Sequence, residues 1–388
     1  MKYNFDEIID RRGDYTMKYG MIDEVYPNAP KDSIPLWIAD MDFACPDTVI
    51  EDICDFAKRT RIFGYSKLVE DEYYDVVKAY MKRHFEWDIE RENILFSNGI
   101  VPALNELVRN LSKVGDNVII QTPAYHPFEL AISGNNRNLF KNRMIYKDGN
   151  YTINFEEFEK MCEDPKTSLF ILCSPQNPSG RVWTESELRK LTEIALKNNV
   201  KIVSDEIHFD IVRNGVKHIP LDKLFPHNKN IVTCTAPSKT FNIAGLHISN
   251  IIINDEKLAK KWYYEKPCGH PSPLSIAAIL SCYKKCDDWR QEMLDYIDEN
   301  FKVLDKFIKE NMPKAKFSIP QATYLAWVDL SKYGYSKQEI MNRTIAKGVL
   351  IEGEDEFVDN AEGFIRINLA LPKATLIEAL TRLKFALE

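Results

Sequence analysis

The sequence has no long apolar run. The first twelve residues carry charge throughout, so we expect neither a secretory leader nor a membrane span. It also has no internal repeat and no low-complexity tract. The formal net charge of −7 argues against a nucleic-acid-binding surface, which would be basic. The composition is that of a globular protein, and 388 residues are enough to bury a large core.

Cysteine is sparse for the length of the chain. There are eight cysteines among 388 residues, and no two of them form a CxxC pair. This density is too low for a disulfide scaffold, and the spacing argues against a zinc ribbon. We therefore expect reduced cysteines, a cytoplasmic location and no metal site.

What the sequence does contain is an alternation of two periodicities. Helical spacing of apolar residues predicts helices at 47–60, 70–84, 100–112, 126–133 and 154–162, and β-rich runs predict strands at 117–121, 138–145 and 168–173. Thr184 and Glu187 fit a capping box, which predicts a helix through Lys197. Alternating strands and helices indicate an α/β fold with a mainly parallel sheet and helices on both faces.

The pattern changes after about residue 255. Helical periodicity dominates 273–310, and it is followed by short runs at 315–319 and 323–330, a helix at 336–346, a strand at 364–368 and a last helix from Lys373. This order predicts a smaller α+β domain. We expect an N-terminal segment (1–45) that joins the small domain, a large domain (46–285) and the small domain (286–388), bridged by a helix at about 286–310.

Lys239 lies in a polar loop, Thr235–Leu246, between two apolar runs that are typical of buried strands. Ligand sites in α/β sheets form at the carboxyl ends of strands. A partly desolvated lysine there has a lowered pKa and can form a Schiff base with a carbonyl. Taken alone, a Ser-Lys pair after a strand is usually an ordinary loop.

Other polar or small residues follow predicted strands in the same way. Gly99, Tyr125 and Asn177 each come shortly after an apolar run, and Asp205 ends one. Their ordinary interpretations are a helix start, loop packing, a turn and a helix cap. Arg366 lies on an apolar strand, where burial requires a partner; it either forms an internal salt bridge or binds a ligand carboxylate.

Together the motifs resemble a known family. The stretches that carry the resemblance are Ile34–Phe43, Phe63–Ser66, Ser204–His208 and Ala322–Trp327, along with the Lys239 loop. The chain resembles the fold type I, pyridoxal-phosphate-dependent aminotransferase superfamily (class I and II). More narrowly, it is similar to the cystathionine β-lyase/C-S lyase branch typified by MalY and PatB. The match runs from about residue 34 to residue 382.

The resemblance implies the PLP-transferase fold and pyridoxal 5′-phosphate as cofactor. Lys239 would bind the cofactor and act as the base, and Asp205 would hold the ring nitrogen protonated. Tyr125 would stack on the ring and orient the reacting bond. Asn177 would bind the phenolic oxygen and lie near the substrate.

The same resemblance implies a phosphate site at a helix start. Gly99, Ile100 and Val101 would offer free N–H groups, and Ser238 would add a hydroxyl. The chain departs from the common pattern at three positions. It has His247 where arginine is usual, Ala236 where serine is usual, and His208 where most aminotransferases have tyrosine. His208 would contact the cofactor or lie behind it.

For the substrate, the resemblance implies that Arg366 binds the α-carboxylate, assisted by backbone near Ala39. His126 would face the substrate pocket. Tyr65 would reach the phosphate in the neighbouring subunit, so the resemblance also implies a homodimer.

Three functions follow from this resemblance. The first is α,β-elimination of cystathionine or another cysteine S-conjugate to pyruvate, ammonia and a thiol. The second is transamination of an aromatic or dicarboxylic amino acid, which the residues alone do not separate from elimination. The third is a MalY-like binding role toward a transcriptional activator.

Overall fold

The helices and strands come from a computed structural model, which describes residues 2–66, 68, 71–265 and 267–388. The α-helices are α1 Met17–Gly20, α2 Ile22–Val25, α3 Asp47–Thr60, α4 Asp71–Phe85, α5 Ile100–Leu111, α6 Pro127–Ser133, α7 Phe155–Cys162, α8 Glu185–Lys197, α9 Leu221–Leu224, α10 Glu256–Glu265, α11 Pro273–Lys285, α12 Asp287–Asn311, α13 Lys337–Ala346 and α14 Lys373–Leu387. Short 3-10 helices cover Arg91–Asn93, Ala244–Leu246, Ser331–Tyr333 and Glu354–Glu356. Among the described residues, no helix is both long enough and apolar enough to cross a membrane.

The strands are β1 Ile34–Pro35, β2 Ile94–Ser97, β3 Asn117–Thr122, β4 Ala124–Tyr125, β5 Asn138–Arg143, β6 Ile145–Lys147, β7 Asn150–Thr152, β8 Thr167–Cys173, β9 Lys201–Asp205, β10 Ile231–Thr235, β11 Ser249–Ile253, β12 Leu325–Asp329, β13 Val349–Leu350, β14 Phe357–Val358 and β15 Phe364–Asn368. Seven of them form the main sheet, in the order β2-β11-β10-β9-β8-β3-β5. Only β11 runs antiparallel to its neighbours in that sheet. The predicted α/β class with a mainly parallel sheet is confirmed.

Helices cover both faces of this sheet because its side chains alternate between them. On β3, Val118 and Ile120 belong to the same apolar core as Leu104 of α5. Ile119, which lies between them, belongs to a second core with Phe158 of α7. A period of two on a strand that is buried on both sides produces this pattern.

Most predicted elements are present, and the capping box is complete. The Thr184 side chain accepts a hydrogen bond from the Glu187 N–H, and the Glu187 side chain accepts one from the Thr184 N–H. The predicted helix at 70–84 begins at Asp71, and residue 70 itself lies outside the described residues.

Two predicted strands differ from the structure. The strand at 138–145 is two strands, since the Met144 N–H turns to the Thr122 carbonyl at 3.0 Å. The run at 315–319 is not a strand, because within it only Lys316 pairs, with Asp329.

The parallel arrangement brings several strand ends to one edge of the sheet. The carboxyl ends of β2, β8, β9 and β10 meet there, and the amino end of antiparallel β11 joins them. The loops that follow these strands carry the polar residues identified from the sequence. This edge is therefore where a site can form.

The predicted domain boundaries at 45/46 and 285/286 stay a prediction. One apolar core contains Phe43, Val77, Ile279, Met293 and Leu369, so it draws on all three predicted parts of the chain. The 25-residue helix α12, the predicted bridge, buries nine residues, Met293 among them.

Buried ion pairs within the N-terminal segment hold its two halves together. Arg11 pairs with Asp42 at 2.8 Å and with Asp40 at 2.6 Å. Lys18, whose side chain is fully buried, pairs with Asp42 at 2.9 Å. Asp42 therefore neutralises two buried cations, and breaking such a pair by removing one partner is costly.

We expect Asp42→Ala to lower the free energy of unfolding by about 3 kcal/mol, because Lys18 stays buried without its partner. Chemical denaturation followed by tryptophan fluorescence measures this. Asp10→Ala is the control, since Asp10 and its partner Arg12 are exposed and such pairs contribute about 0–1 kcal/mol. Equal effects of the two substitutions would contradict the assignment.

Candidate active site

A cavity of about 350 Å³ opens at the strand-end edge of the main sheet. Its walls come from the loops after β2, β8, β9 and β10, from the start of α5 and from the N-terminal segment. The lining residues are Ala39, Asn98, Gly99, Ile100, Val101, Pro102, Tyr125, Phe128, Cys173, Asn177, Asp205, Ile207, His208, Ser238, Lys239, Ala244, His247, Ile248 and Ser249. The structure thus brings ten of the thirteen residues with a predicted site role to one cavity; the exceptions are Arg366, Tyr65 and His126.

The Lys239 amine is partly buried and faces this cavity. Its Nζ donates a hydrogen bond to the Ala39 carbonyl at 2.6 Å. Burial lowers the pKa of Lys239 from its usual value, and the nearby Arg366 guanidinium acts in the same direction, while Asp40 opposes it. A lowered pKa provides a neutral, nucleophilic amine at a lower pH than an ordinary lysine would.

Asp205 is a buried carboxyl at the end of β9. Burial raises the pKa of Asp205 to about 7, and a hydrogen bond from the Ile207 N–H at 3.1 Å opposes this rise. The neighbouring Glu206 raises this pKa further, whereas Lys239 lowers it. A buried carboxyl in this condition would be stabilised as an anion by a cation placed in the cavity.

The start of α5 gives the cavity its anion-binding wall. Gly99, Ile100 and Val101 all line it, and Gly99 is the N-cap of this twelve-residue helix. The Gly99 N–H donates to Ser97 Oγ at 3.3 Å, so the expectation of a free N–H at Gly99 is wrong. The first turn of the helix and its dipole still favour an anion at this position. Ser238 and His247 line the same cavity.

Tyr125 provides an aromatic wall. Its backbone pairs with Phe357 in a short antiparallel ladder, and its ring packs edge-on against Phe128 at 6.1 Å. Burial raises the pKa of the Tyr125 hydroxyl, so the phenol stays neutral. The ring position is thus fixed from two sides.

His208 is buried beside these groups. Its ring packs edge-on against Tyr324 at 6.3 Å. Burial lowers the pKa of His208 to about 3, and Lys239 and Arg366 act in the same direction. His208 Nδ1 has no hydrogen-bond partner among the described residues. The ring is neutral at physiological pH, and one of its nitrogens is buried without a partner in the described part of the chain.

Arg366 does not line the cavity, but it contacts a residue that does. Its Nη1 donates to Asn177 Oδ1 at 3.0 Å, and its Nη2 donates to the Trp37 carbonyl at 3.1 Å. Its side chain also forms an ion pair with Glu352. The salt-bridge interpretation is therefore present in the structure, and a ligand-binding role would have to share the guanidinium.

The N-terminal segment lies between the Lys239 loop and the C-terminal strands. Asn368 Nδ2 donates to the Ile38 and Asp40 carbonyls, both at 2.8 Å. On the other side, Asn242 Nδ2 donates to the Phe43 carbonyl at 2.7 Å. Ala39 is held between these two anchors, which fixes its carbonyl against Lys239.

Besides Arg366, two further expected positions lie away from the cavity in this single chain. Tyr65 is fully exposed and lies after α3 in a segment without regular secondary structure. His126 is also absent from the cavity wall, and its nearest charged partner is Glu129 at 3.6 Å. Among the described residues, no group of three or more His, Cys, Asp or Glu side chains could hold a metal ion.

Sequence reasoning missed three polar groups here. Asn98 lines the cavity, the Tyr324 hydroxyl donates to the Ala39 carbonyl at 2.9 Å, and Glu352 pairs with Arg366. Tyr324 stood inside the Ala322–Trp327 motif, and Glu352 directly follows the apolar run Val349–Ile351. A charged residue next to an apolar run is the signal that could have found Glu352.

The family model for class I and II aminotransferases matches residues 31–383 of the chain. The chain belongs to this family. It is 38% identical to cystathionine beta-lyase PatB of Bacillus subtilis, over 99% of this chain and 100% of that protein. It is 27% identical to protein MalY of Escherichia coli, over 96% of each chain. The family and branch predicted from the sequence are confirmed.

Solved structures agree with these relatives. A pyridoxal-phosphate-bound C-S lyase from Staphylococcus hominis, complexed with the inhibitor L-cycloserine, has a TM-score of 0.94 and 40% identity, over 100% of this chain and 99% of that one. Cystalysin from Treponema denticola, which contains pyridoxal 5′-phosphate, has a TM-score of 0.96 and 35% identity, over 100% and 99%.

The residues present fit such a cofactor. Asp205 is a buried carboxyl whose raised pKa would be relieved by a protonated ring nitrogen. The start of α5 suits a phosphate, and the Lys239 amine suits an aldehyde. His208 Nδ1 is a buried polar atom without a partner among the described residues.

We expect Lys239 to be modified at lower pH than an exposed lysine, because burial lowers the pKa of its amine. Reductive methylation of the cofactor-free protein across a pH series, resolved by peptide mass spectrometry, measures this. Lys257, which is exposed, is the internal control. If the modification of Lys239 required a higher pH than the modification of Lys257, the lowered pKa of Lys239 would be contradicted.

Proposed function

We propose that this protein is a pyridoxal 5′-phosphate-dependent carbon–sulfur β-lyase. It cleaves cystathionine or another cysteine S-conjugate, with water, to pyruvate, ammonia and a thiol. The observation that carries the chemistry is that the Lys239 amine and the Asp205 carboxyl face one cavity. The lyase direction is supported by the relatives that carry that activity in their names.

The cofactor, when bound, supplies an electron-accepting ring for the electron pair left at the substrate α-carbon. The Asp205 carboxylate would hold a proton on the ring nitrogen of the bound cofactor. Tyr125 and Asn177 keep the ring in place, and the start of α5 binds the phosphate.

Lys239 is the proton carrier in the proposal. Its neutral amine takes the α-proton from the substrate, which a lowered pKa permits near neutral pH. The bond to sulfur then breaks, and the thiolate accepts a proton from Lys239 or from Tyr125. The Ala39 carbonyl, 2.6 Å from Nζ, orients the amine between these transfers.

Arg366 binds the α-carboxylate of the substrate. Its Nε has no hydrogen-bond partner among the described residues, although the side chain is only 1% exposed. A buried donor of this kind is costly unless a ligand satisfies it. Asn177 and the Trp37 carbonyl fix the orientation of the guanidinium.

A homodimer with shared sites is part of the proposal. Ile62, Phe63 and Tyr65 are exposed side by side, an unusual placement for apolar and aromatic residues that a partner subunit would cover. Tyr65 then reaches the phosphate in the neighbouring site. All eight cysteines are free, in keeping with the proposed cytoplasmic location.

Transamination is the second candidate, because the chain is also 26% identical to an aspartate aminotransferase of Pyrococcus horikoshii. The deciding experiment supplies the purified holoenzyme with L-cystathionine and no keto acid. A lyase releases pyruvate and thiol in equal amounts over many turnovers. An aminotransferase stops after one turnover per site until a keto acid is added.

We expect Arg366→Lys to lower kcat/KM by roughly 10- to 100-fold, mainly through KM, because lysine loses the forked geometry for a carboxylate. Steady-state kinetics with cystathionine measures this. Arg143→Lys is the control, since Arg143 is exposed and pairs with Asp359 on the surface. An unchanged KM in Arg366→Lys would remove the proposed role.

We expect two inactive variants, Lys239→Ala and Tyr65→Ala, to restore activity when they are mixed as dimers. One site of each mixed dimer then has both Lys239 and Tyr65, whereas the other lacks both. Random reassembly of equal amounts predicts up to about a quarter of the wild-type activity. No recovery in mixed dimers verified by mass would contradict the shared site.

A further inference from the structure

The guanidinium of Arg366 already forms an ion pair with a carboxylate of its own chain. Glu352 lies directly across from Arg366. The backbone N–H of Arg366 donates to the backbone carbonyl of Glu352 at 2.9 Å, and the two side chains form an ion pair. The Arg366 side chain is 1% exposed and the Glu352 side chain 14% exposed. The pair is thus shielded from water, but the carboxyl keeps a path for protons.

The remaining donors of Arg366 are few. Asn177 accepts one N–H of Nη1, the Trp37 carbonyl accepts one N–H of Nη2, and Glu352 pairs with the same Nη2, while Nε has no partner among the described residues. A ligand carboxylate that binds an arginine bidentately requires two N–H groups. Both bidentate edges of a guanidinium include Nη2, which the Trp37 carbonyl and Glu352 now hold. The ligand must therefore displace one of these two, and Glu352 is the one that carries the same charge as the ligand.

We propose that Glu352 competes with the substrate carboxylate for Arg366, so that the substrate binds only when Glu352 has taken up a proton. This inference rests on the proposed role of Arg366 in binding that carboxylate. Glu352 is then a positioning residue that sets substrate affinity.

Electrostatics supports the competition. Two carboxylates beside one buried guanidinium repel each other, and the usual outcome is that one of them becomes protonated. Burial raises the pKa of Glu352 to about 7, Arg366 and Lys239 oppose the rise, and Glu356 adds to it. The hydroxyls of Tyr26 and Tyr125 also lie in the field of Glu352, and burial raises the pKa of both, so both stay neutral. The proton is therefore available at neutral pH.

The alternative is that the pair only stabilises the contact between the 349–352 segment and β15. In that case, neutralising Glu352 changes stability but not the pH dependence of ligand binding. The two interpretations thus differ in a measurable quantity.

The experiment uses the holoenzyme and propionate, a monocarboxylate without an amino group, as a competitive inhibitor between pH 6 and 9. For the wild type, we expect the inhibition constant of propionate to be constant below pH 7 and to rise about tenfold per pH unit above pH 7. Above that pH Glu352 is ionised, and its ion pair with Arg366 excludes the propionate carboxylate. For Glu352→Gln, we expect a constant that varies less than about threefold over the whole range.

Glu356→Gln is the matched control, since Glu356 is exposed at the end of the 3-10 helix Glu354–Glu356 that follows Glu352. Removing its charge lowers the pKa of Glu352, so the rise persists but begins at lower pH. An identical pH profile in wild type and Glu352→Gln would overturn the inference. If Glu352→Gln does not fold, a flat wild-type profile would overturn it, and a rise whose onset moves in Glu356→Gln would support it.

Arg366→Lys separates this inference from the proposed function. If Arg366→Lys binds propionate as well as the wild type does, the carboxylate-binding role of Arg366 fails, and this inference fails with it. If Arg366→Lys binds propionate weakly while Glu352→Gln keeps the wild-type pH profile, only the role of Glu352 fails.

Discussion

The Asp205 carboxyl and the Lys239 amine are both buried at the same edge of the sheet, and no ion pair joins them in the described structure. Burial raises the pKa of the Asp205 carboxyl and lowers that of the Lys239 amine, so both are pushed toward their neutral forms. A protein gains nothing in stability from such an arrangement. It becomes favourable when a ligand brings a cation to Asp205 and a carbonyl to Lys239, as the proposed cofactor does.

The rest of the fold serves to hold these groups in place. Parallel strands bring Asp205 and the Lys239 loop to one edge, and the start of α5 adds a positive helix end. The N-terminal segment closes the cavity from the other side. Its Ala39 carbonyl contacts Lys239, and Asp42 anchors the segment through two buried cations. The site is thus made by parts of the chain that are distant in sequence.

Much of this could be predicted from the sequence, for physical reasons. Buried strands have recognisable apolar runs, so residues such as Asp205 and Asn177 could be placed at strand ends. Side-chain pairing was harder to predict. The ion pair of Arg366 with Glu352 depends on an isolated antiparallel bridge between two short segments, which no local pattern encodes. The hydrogen bond from Lys239 to the Ala39 carbonyl likewise joins segments that are distant in the sequence, and the sequence did not predict it.

The most direct test of the central claim is pyruvate release by Asp205→Asn loaded with pyridoxal 5′-phosphate. The amide keeps the shape of the carboxyl but removes the anion that holds the ring nitrogen protonated. The account predicts that the variant still binds the cofactor through Lys239, seen as a visible absorption band, while turnover falls by about a hundredfold to a thousandfold. A loaded variant that keeps turnover within a few-fold of the wild type would contradict it.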